Sequence, residues 1–175
     1  MAWEGEVQGY VDRMDAEDEA GSGSVVNIVV AIKPQAVIDA REKDLNFAIT
    51  GIDGPLYCVP ILPKDNFNTE QMPTSGGALA FEYNQPTRDA YTVRKMRDAG
   101  AIILGKANMD EFAFGFRGES SVRGLVKNSY DLTKGSGGSS TGTGTAIGAS
   151  LALLGTGSDT GGSIRVPSSL TALVG

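Results

Sequence analysis

The N-terminal segment of the chain combines high charge with a helical spacing of apolar positions. One face of a helix would carry the residues at positions i, i+3, i+4 and i+7, namely Val7, Tyr10, Val11 and Met14. High charge alone would also fit a solvated tail. The spacing favours an amphipathic helix within residues 1–20, from about Glu4 to Glu19.

The next segments alternate between flexible, strand-like and helical patterns. Residues 21–24, Gly-Ser-Gly-Ser, are typical of a flexible joint. The β-branched run Val25–Ile32 predicts a strand. Pro34 can open a second helix, which we expect to continue through Ala40 to about Leu45.

The clearest helical pattern covers Thr87–Asp98. Thr87 is a suitable N-cap, and Gly100 lies where a C-cap glycine belongs. The apolar run Ala101–Leu104 follows at once and predicts a buried parallel strand. A helix followed by a buried strand indicates an α/β architecture. A further short helix is predicted over residues 108–114.

Residues 135–162 form a glycine-rich region that holds ten of the twenty-four glycines. A linker could have this composition, but the apolar run Ala146–Leu154 interrupts it and is typical of a packed element. We therefore expect folded glycine loops on both sides of that element. Glycine allows positive φ and a close approach of the backbone to other groups.

The absence of histidine excludes several kinds of catalytic site. The chain has one cysteine and no histidine, so it has no Ser-His-Asp triad and no histidine-bound metal. The base of any acid–base chemistry is then Lys, Asp, Glu, Tyr or a group from another chain. Cys58, which has no partner for an intrachain disulfide, is interpreted as a small buried apolar residue. We expect no metal and a cytoplasmic location.

The charge distribution argues against binding to nucleic acid. The net charge is −6, and residues 1–20 account for it with seven acids and one base, whereas the rest of the chain is balanced. No basic patch is evident that could neutralise phosphates. No apolar run approaches the ~20 residues that span a bilayer, so we expect neither a nucleic-acid nor a membrane partner.

Nucleotide-binding motifs fail at required positions, so no nucleotide cofactor is expected. The one Gly-Lys pair, Gly105-Lys106, is followed by alanine where a P-loop needs Ser or Thr. The dinucleotide pattern Gly-x-Gly-x-x-Gly ends at Ser140 or at Ile147 instead of glycine.

Acyl transfer fits the glycine-rich region better. Residues 159–163, Asp-Thr-Gly-Gly-Ser, offer consecutive backbone N–H groups for an oxyanion and end in a hydroxyl. A hydroxyl nucleophile needs a base, and without histidine a neutral lysine is the natural one. Lys64 ends the apolar run 59–63, where burial would lower its pKa.

Four blocks in this order resemble the amidase signature family of serine hydrolases. They are Val-Pro-Ile-Leu-Pro-Lys-Asp-Asn at 59–66, the segment 99–108, Gly-Gly-Ser-Ser at 137–140, and Asp-Thr-Gly-Gly-Ser-Ile-Arg at 159–165. The resemblance extends from about Val7 to Gly175. It implies an α/β fold in which helices cover both faces of a mixed central β-sheet.

The resemblance implies a Ser-cisSer-Lys triad. Ser163 would be the nucleophile, Ser139 the bridging serine after a cis peptide bond from Gly138, and Lys64 the neutral base. The oxyanion hole would consist of four backbone amides, those of Thr160, Gly161, Gly162 and Ser163. Three residues would support the site, namely Ser140, Asp159 and Arg165. The implied activity is hydrolysis of small-molecule linear amides through an acyl-enzyme, without a cofactor.

Two features depart from the expected pattern or invite another interpretation. Thr141 stands where the family's Gly-Gly-Ser-Ser-Gly-Gly loop has glycine, which narrows the backbone angles. Asp110 and Glu111 could suggest an acid–base pair, but we interpret them as acids at the start of a helix.

The resemblance leaves the reaction and the extent of the domain open. Residues 108–113 are similar to the A subunit of the tRNA-dependent glutamine amidotransferase, whereas 118–121 and 155–158 look more like stand-alone amidases. The family's domain is normally more than twice as long, so residues 1–175 are predicted to form one partial domain with its catalytic motifs within 55–175. A further hypothesis is a non-catalytic fragment that needs a complementing chain or a homo-oligomer.

Overall fold

The computed structural model describes residues 3–18 and 26–175, so the predicted joint at 21–24 lies outside the described residues. Five α-helices are described: α1 Trp3–Asp18, α2 Ala36–Thr50, α3 Tyr91–Asp98, α4 Thr141–Gly148 and α5 Arg165–Leu170. The described strands are β1 Val29–Ile32, β2 Pro60–Pro63, β3 Ile102–Ile103, β4 Gly105–Ala107, β5 Glu119–Ser120, β6 Gly124–Leu125, β7 Lys127–Asn128, β8 Asp131–Gly135 and β9 Leu154–Thr156. Short 3₁₀ turns cover Leu79–Phe81 and Glu111–Ala113.

A parallel sheet of order β3-β2-β9 forms the centre of the fold. Its middle strand, β2, is apolar and buried at all four positions, as expected of a strand with neighbours on both sides. Lys64, the residue after β2, forms a parallel bridge with Ala107 at the end of β4, and β4 pairs antiparallel with β1. The α/β class and the mixed strand directions are therefore confirmed.

The N-terminal helix is confirmed as α1. Val7 and Met14 are each 1% exposed, and α1 packs against α2. Asp44 of α2 accepts the backbone N–H groups of Trp3 and Glu4 at 3.1 and 2.8 Å. This carboxylate accepts from two amides of α1 that have no partner inside the helix, so it stabilises the contact between α1 and α2.

Two of the predicted helices are shorter in the structure. The helix predicted from Thr87 begins at Tyr91, because Asp89 and Ala90 are held outside it. The Ala90 N–H donates to Asn68 O at 2.9 Å, and Asp89 Oδ1 accepts the Glu70 N–H at 2.9 Å. Thr87 is therefore not the N-cap, although Gly100 does follow the helix end, with φ of 100°.

The helix predicted over residues 108–114 is reduced to a 3₁₀ turn. Phe112 and Ala113 have φ of 53° and 59°, in the left-handed region that ends a helix. Conversely, α2 continues beyond the predicted end near Leu45 to Thr50. Of the predicted strand Val25–Ile32, Val25 lies outside the described residues, and β1 covers only Val29–Ile32 of the remainder. In the described ranges no helix has the length and apolar character needed to cross a membrane.

Candidate active site

Lys64 is placed at the centre of the candidate site by the end of β2. The residue is fully buried, although lysine is usually a surface residue. Its Nζ lies 2.8 Å from Ser139 Oγ and 2.8 Å from Ser158 Oγ. The structure thus brings Lys64 and Ser139 together across 75 residues of sequence.

Burial makes Lys64 a stronger candidate for a base. Loss of solvent lowers the pKa of Lys64 from 10.5 to about 8, while the negative charges of Asp110 and Asp159 act in the opposite direction. A lysine with this pKa is partly neutral near physiological pH. It can then accept a proton from a neighbouring hydroxyl.

Two other buried lysines clarify what is distinctive about Lys64. Lys106 Nζ lies 2.8 Å from Asp65 Oδ1, and Lys33 forms an ion pair with Asp39. Lys64 contacts hydroxyls, and within the described ranges no carboxylate forms an ion pair with it. Burial lowers the pKa of Lys33 and Lys106 as well, but each of them faces a carboxylate that favours its charged form, whereas Lys64 faces hydroxyls.

The serine loop, residues 136–140, is buried throughout and leads into α4. The Gly138–Ser139 peptide bond is cis, as the resemblance implies. Ser140 joins this loop to the segment before α5, because its N–H donates to Ser163 O at 3.1 Å and its Oγ accepts the Ser158 N–H at 3.3 Å. Ser140 therefore aligns the two serine-bearing segments with each other.

Ser163, the expected nucleophile, lies just before α5 at the end of residues 158–163, which we call the nucleophile loop after that expectation. The residue is 6% exposed, and among residues 3–18 and 26–175 its hydroxyl has no hydrogen-bond partner. Gly162 has φ of 137°, a conformation that favours glycine. The hydroxyl is thus presented at the edge of the site without a competing partner.

The amides of the nucleophile loop fall into two groups. The Gly162 N–H donates to Asp159 Oδ1 at 2.7 Å. The amides of Thr160, Gly161 and Ser163 have no acceptor within the described part of the chain. These three N–H groups are therefore open to an acceptor from outside the chain.

Asp159 and Arg165 form the ion pair expected of supporting residues. Arg165 binds the Asp159 carboxylate in a bidentate manner, with Nε at 3.1 Å and the second nitrogen at 2.9 Å. This pairing holds the pKa of the Asp159 carboxyl well below its usual range. Asp159 also accepts the N–H groups of Ile164 and Arg165 at 3.0 and 3.1 Å, so it fixes the turn around Ser163.

Sequence reasoning missed two residues near Lys64. Ser158 Oγ contacts Lys64 and also accepts a hydrogen bond from Asn66 Nδ2 at 2.9 Å. Only its position directly before Asp159, the first residue of the block 159–165, could have indicated from the sequence that Ser158 lies in the site. The interpretation of Asp110 as an acid at a helix start holds only for the 3₁₀ turn Glu111–Ala113, because Asp110 occupies the N-cap position of that turn but its side chain makes no capping hydrogen bond. Asp110 is 4% exposed and accepts the Gly118 N–H.

Cys58 has the predicted structural character. It is a free cysteine, 4% exposed, and it belongs to the main apolar cluster. Burial raises its pKa to about 11, so the thiolate is scarce at neutral pH.

Comparisons with known proteins agree on one family. A protein-family model described as Amidase matches residues 7–175. The chain is 46% identical to the A subunit of glutamyl-tRNA(Gln) amidotransferase from Azoarcus sp. strain BH72, over 95% of this chain and 33% of that protein. It is 43% identical to the same subunit of Acidothermus cellulolyticus, over 95% and 32%.

Solved structures give the same result. The native peptide amidase of Stenotrophomonas maltophilia superimposes with a TM-score of 0.89 at 37% identity, over 95% of this chain and 35% of that one. An amidase family protein of Bacillus anthracis gives 0.88 at 33% identity, over 95% and 34%. The chain thus spans about a third of the length of the relatives that it matches.

Proposed function

Since the match over residues 7–175 shows that the chain belongs to the amidase family, we propose that it carries the catalytic residues of an amidase. The reaction is hydrolysis of a carbon–nitrogen amide bond in a small molecule. Ser163 is the nucleophile, Ser139 the bridging serine and Lys64 the base.

The hydrogen bond between Lys64 and Ser139 is the observation that carries this proposal. Its atoms, Nζ and Oγ, are 2.8 Å apart, and both residues are fully buried. A buried lysine normally pairs with a carboxylate, since an unpaired buried charge is costly. A lysine bonded to a hydroxyl instead fits a proton acceptor with a lowered pKa.

The proposed proton path runs from Ser163 through Ser139 to Lys64. As Ser163 Oγ attacks the carbonyl carbon, its proton moves to Ser139, whose own proton moves to Lys64. The proton returns along the same path to the leaving nitrogen, and the amine departs from an acyl-enzyme. Water then attacks the acyl group, with Lys64 again as the base, and frees Ser163.

Backbone amides would stabilise the oxyanion of each tetrahedral intermediate. The resemblance implies an oxyanion hole of four amides, those of Thr160, Gly161, Gly162 and Ser163. The Gly162 N–H already donates to Asp159, so the other three are the donors that remain available to a substrate oxygen. We assign Ser140, Asp159 and Arg165 to the support of this geometry.

The length of the relatives bears on what this chain can do alone. It spans about a third of their length, and we propose that activity needs further polypeptide, either a complementing chain or the contacts of a homo-oligomer. Exposed apolar side chains near the end of the chain support such an association. These are Leu153, Leu154, Leu170 and Val174. A cytoplasmic location fits the proposal.

A second candidate function is that of an amidotransferase A subunit. The 46% identity to the subunit from Azoarcus favours it, as does the Asn-Met-Asp-Glu-Phe-Ala sequence at 108–113. Glutamine-dependent release of ammonia that rises when partner subunits are added would support this function. Hydrolysis of simple amides without partners would favour the stand-alone amidase.

The test is amide hydrolysis with a panel of small primary amides and peptide amides. The chain is assayed alone and together with a polypeptide that covers the remaining length of the family domain. Activity that appears with the second polypeptide and disappears in Ser163→Ala supports both the nucleophile and the complementing chain. Activity that survives Ser163→Ala would contradict the assignment of Ser163.

A further inference from the structure

Asp110 is a buried carboxylate that the proton path described above does not use. It is 4% exposed, and among residues 3–18 and 26–175 no lysine or arginine forms an ion pair with it. Burying a carboxylate without a cation is costly unless other groups compensate the charge.

Backbone amides hold this carboxylate against the serine loop. The Gly118 N–H donates to both carboxylate oxygens of Asp110 at 3.0 Å, and the Glu119 N–H donates to Oδ1 at 3.3 Å. The Asp110 N–H donates to Ser139 O at 3.2 Å. A Cβ built on Gly138 would lie 1.7 Å from Asp110 Oδ2, so the carboxylate lies directly against the Gly138–Ser139 peptide.

Ser139 joins Asp110 to Lys64, because its carbonyl accepts the Asp110 N–H at 3.2 Å and its Oγ lies 2.8 Å from Lys64 Nζ. The negative charges of Asp110 and Asp159 both raise the pKa of Lys64 against the effect of burial. Arg165 neutralises Asp159 through two hydrogen bonds, whereas Asp110 has amide donors. The other groups bonded to Lys64 Nζ are the hydroxyls of Ser139 and Ser158 and the Ser158 carbonyl. The negative charge of Asp110 is therefore the one that remains available to an ammonium at Lys64.

Other charged residues near Asp110 are directed to solvent or to each other. Glu111, Arg117 and Glu119 line the same surface cavity as Asp110. Arg117 and Glu119 form an exposed ion pair at 3.3 Å, with side chains that are 81% and 51% exposed. Exposed pairs of this kind interact weakly with a buried site because solvent screens them.

We propose that Asp110 is a positioning residue that fixes the Gly138–Ser139 peptide beside Lys64 and stabilises the ammonium formed when Lys64 takes the proton. This inference rests on the proposed role of Lys64 as the base. The proton leaves Ser163 through Ser139, so the charge that develops at Lys64 is positive and is balanced by the carboxylate. Within the described residues, Asp110 makes no hydrogen bond to the hydroxyl of Ser139 or of Ser163.

The test measures the protonation of Lys64 directly by ¹³C NMR titration of labelled lysine Cε. The Lys64 resonance is identified by its loss in Lys64→Met. In Asp110→Asn, the remaining oxygen can still accept from Gly118 and Glu119, but the charge is gone. We expect the protonation constant of Lys64 to fall by roughly tenfold, the usual effect of removing a nearby opposite charge.

Glu111→Gln is the matched control, because it removes an adjacent negative charge that does not contact the serine loop. An unchanged Lys64 titration in Asp110→Asn, or an equal change in Glu111→Gln, would overturn the proposal. If Asp110→Asn does not fold, Asp110→Ser provides a smaller neutral acceptor for the same titration. Failure of both variants to fold would make Asp110 a purely structural residue and would also overturn the proposal.

The titration needs no turnover, so its outcome is independent of the proposed function. In the full-length protein, a second readout separates a positioning role from a structural one. In the pH–rate profile, Asp110→Asn should shift the rise of kcat/KM to lower pH and leave KM nearly unchanged. Glu111→Gln should leave the pH of this rise unchanged.

Discussion

The backbone N–H of Gly162 donates to Asp159 Oδ1 at 2.7 Å, and this bond closes the turn that presents Ser163. The same carboxylate accepts the N–H groups of Ile164 and Arg165 at the start of α5. Asp159 thus fixes the direction of the remaining amides of the nucleophile loop. Preorganised amides of this kind are effective because they need no rearrangement when charge develops.

Loss of Asp159 should therefore impair catalysis more than binding. In the full-length protein, we expect Asp159→Ala to lower kcat by about a hundredfold, the scale of losing one oxyanion donor, with little change in KM. Arg165→Lys keeps the charge but loses the bidentate geometry, so we expect a smaller decrease. Steady-state kinetics on one amide substrate measures both. Equal losses in kcat and substrate affinity would point to disruption of the whole site instead.

Replacement of a buried lysine by methionine should reduce activity at Lys64 but stability at Lys106. Lys64→Met should lower kcat/KM by roughly 10²–10⁴, the usual contribution of general acid–base catalysis, and leave the fold stable. Lys106→Met leaves Asp65 buried without its cation, so the free energy of unfolding should fall by about 3–5 kcal/mol. Denaturant unfolding of both variants, with kinetics, tests this contrast. A greater loss of stability in Lys64→Met would contradict the account.

The activity should rise with pH as Lys64 loses its proton. Because burial lowers its pKa to about 8, we expect kcat/KM to increase through that pH and then level off. Lys64→Arg should be inactive over the whole range, since arginine stays protonated. A pH–rate profile of the full-length protein provides the measurement. A rising limb near pH 6, unaffected by Lys64 variants, would assign the base to another group.

The same pKa predicts how stability depends on pH. The pKa of Lys64 is about 8 in the folded chain and 10.5 in the absence of burial, so between these values the unfolded state binds more protons. The free energy of unfolding should therefore increase with pH across this window, and this increase should be absent in Lys64→Met. Urea denaturation at the lower and upper ends of this window checks the sign. A decrease over the same window that depends on Lys64 would contradict the lowered pKa.

Gly138 should tolerate no side chain, because Asp110 occupies the space. A Cβ at Gly138 would lie 1.7 Å from Asp110 Oδ2, whereas one at Gly161 would have Phe116 Cζ as its neighbour at 3.9 Å. We expect Gly138→Ala to destabilise the chain by about 1–3 kcal/mol, as overpacking does, and Gly161→Ala to be nearly neutral. Thermal unfolding compares the two, and similar melting temperatures would contradict the observed packing.

The sequence could suggest those candidate site residues that lie in contiguous motifs. Lys64, Ser139 and Ser163 each belong to a short block, so their identity could be recognised before their distances were known. Asp110 could not be recognised in this way, because its role depends on Gly118 and Gly138 approaching it in space. Its local sequence resembles an ordinary helix start, and tertiary contacts override that pattern.

Tertiary contacts also limit how well helix boundaries can be predicted from the sequence. Thr87 has the chemistry of an N-cap, but hydrogen bonds from Ala90 to Asn68 and from Glu70 to Asp89 keep the preceding residues extended. The parallel strand after Gly100 is predictable, because a short apolar run after a helix has few other solutions. Hydrogen bonds between residues distant in sequence therefore determine where a helix begins, whereas the local sequence largely determines whether a helix or strand forms.

Covalent labelling of the full-length protein with a fluorophosphonate, a probe that reacts with activated serine hydroxyls, tests the role of Ser163 most directly. Intact mass and peptide mapping locate the adduct and its rate of formation. We expect a single adduct on Ser163, which is absent in Ser163→Ala and forms at least about a hundredfold more slowly in Lys64→Met. An adduct on another serine, or labelling of Ser163 at an undiminished rate in Lys64→Met, would contradict this role.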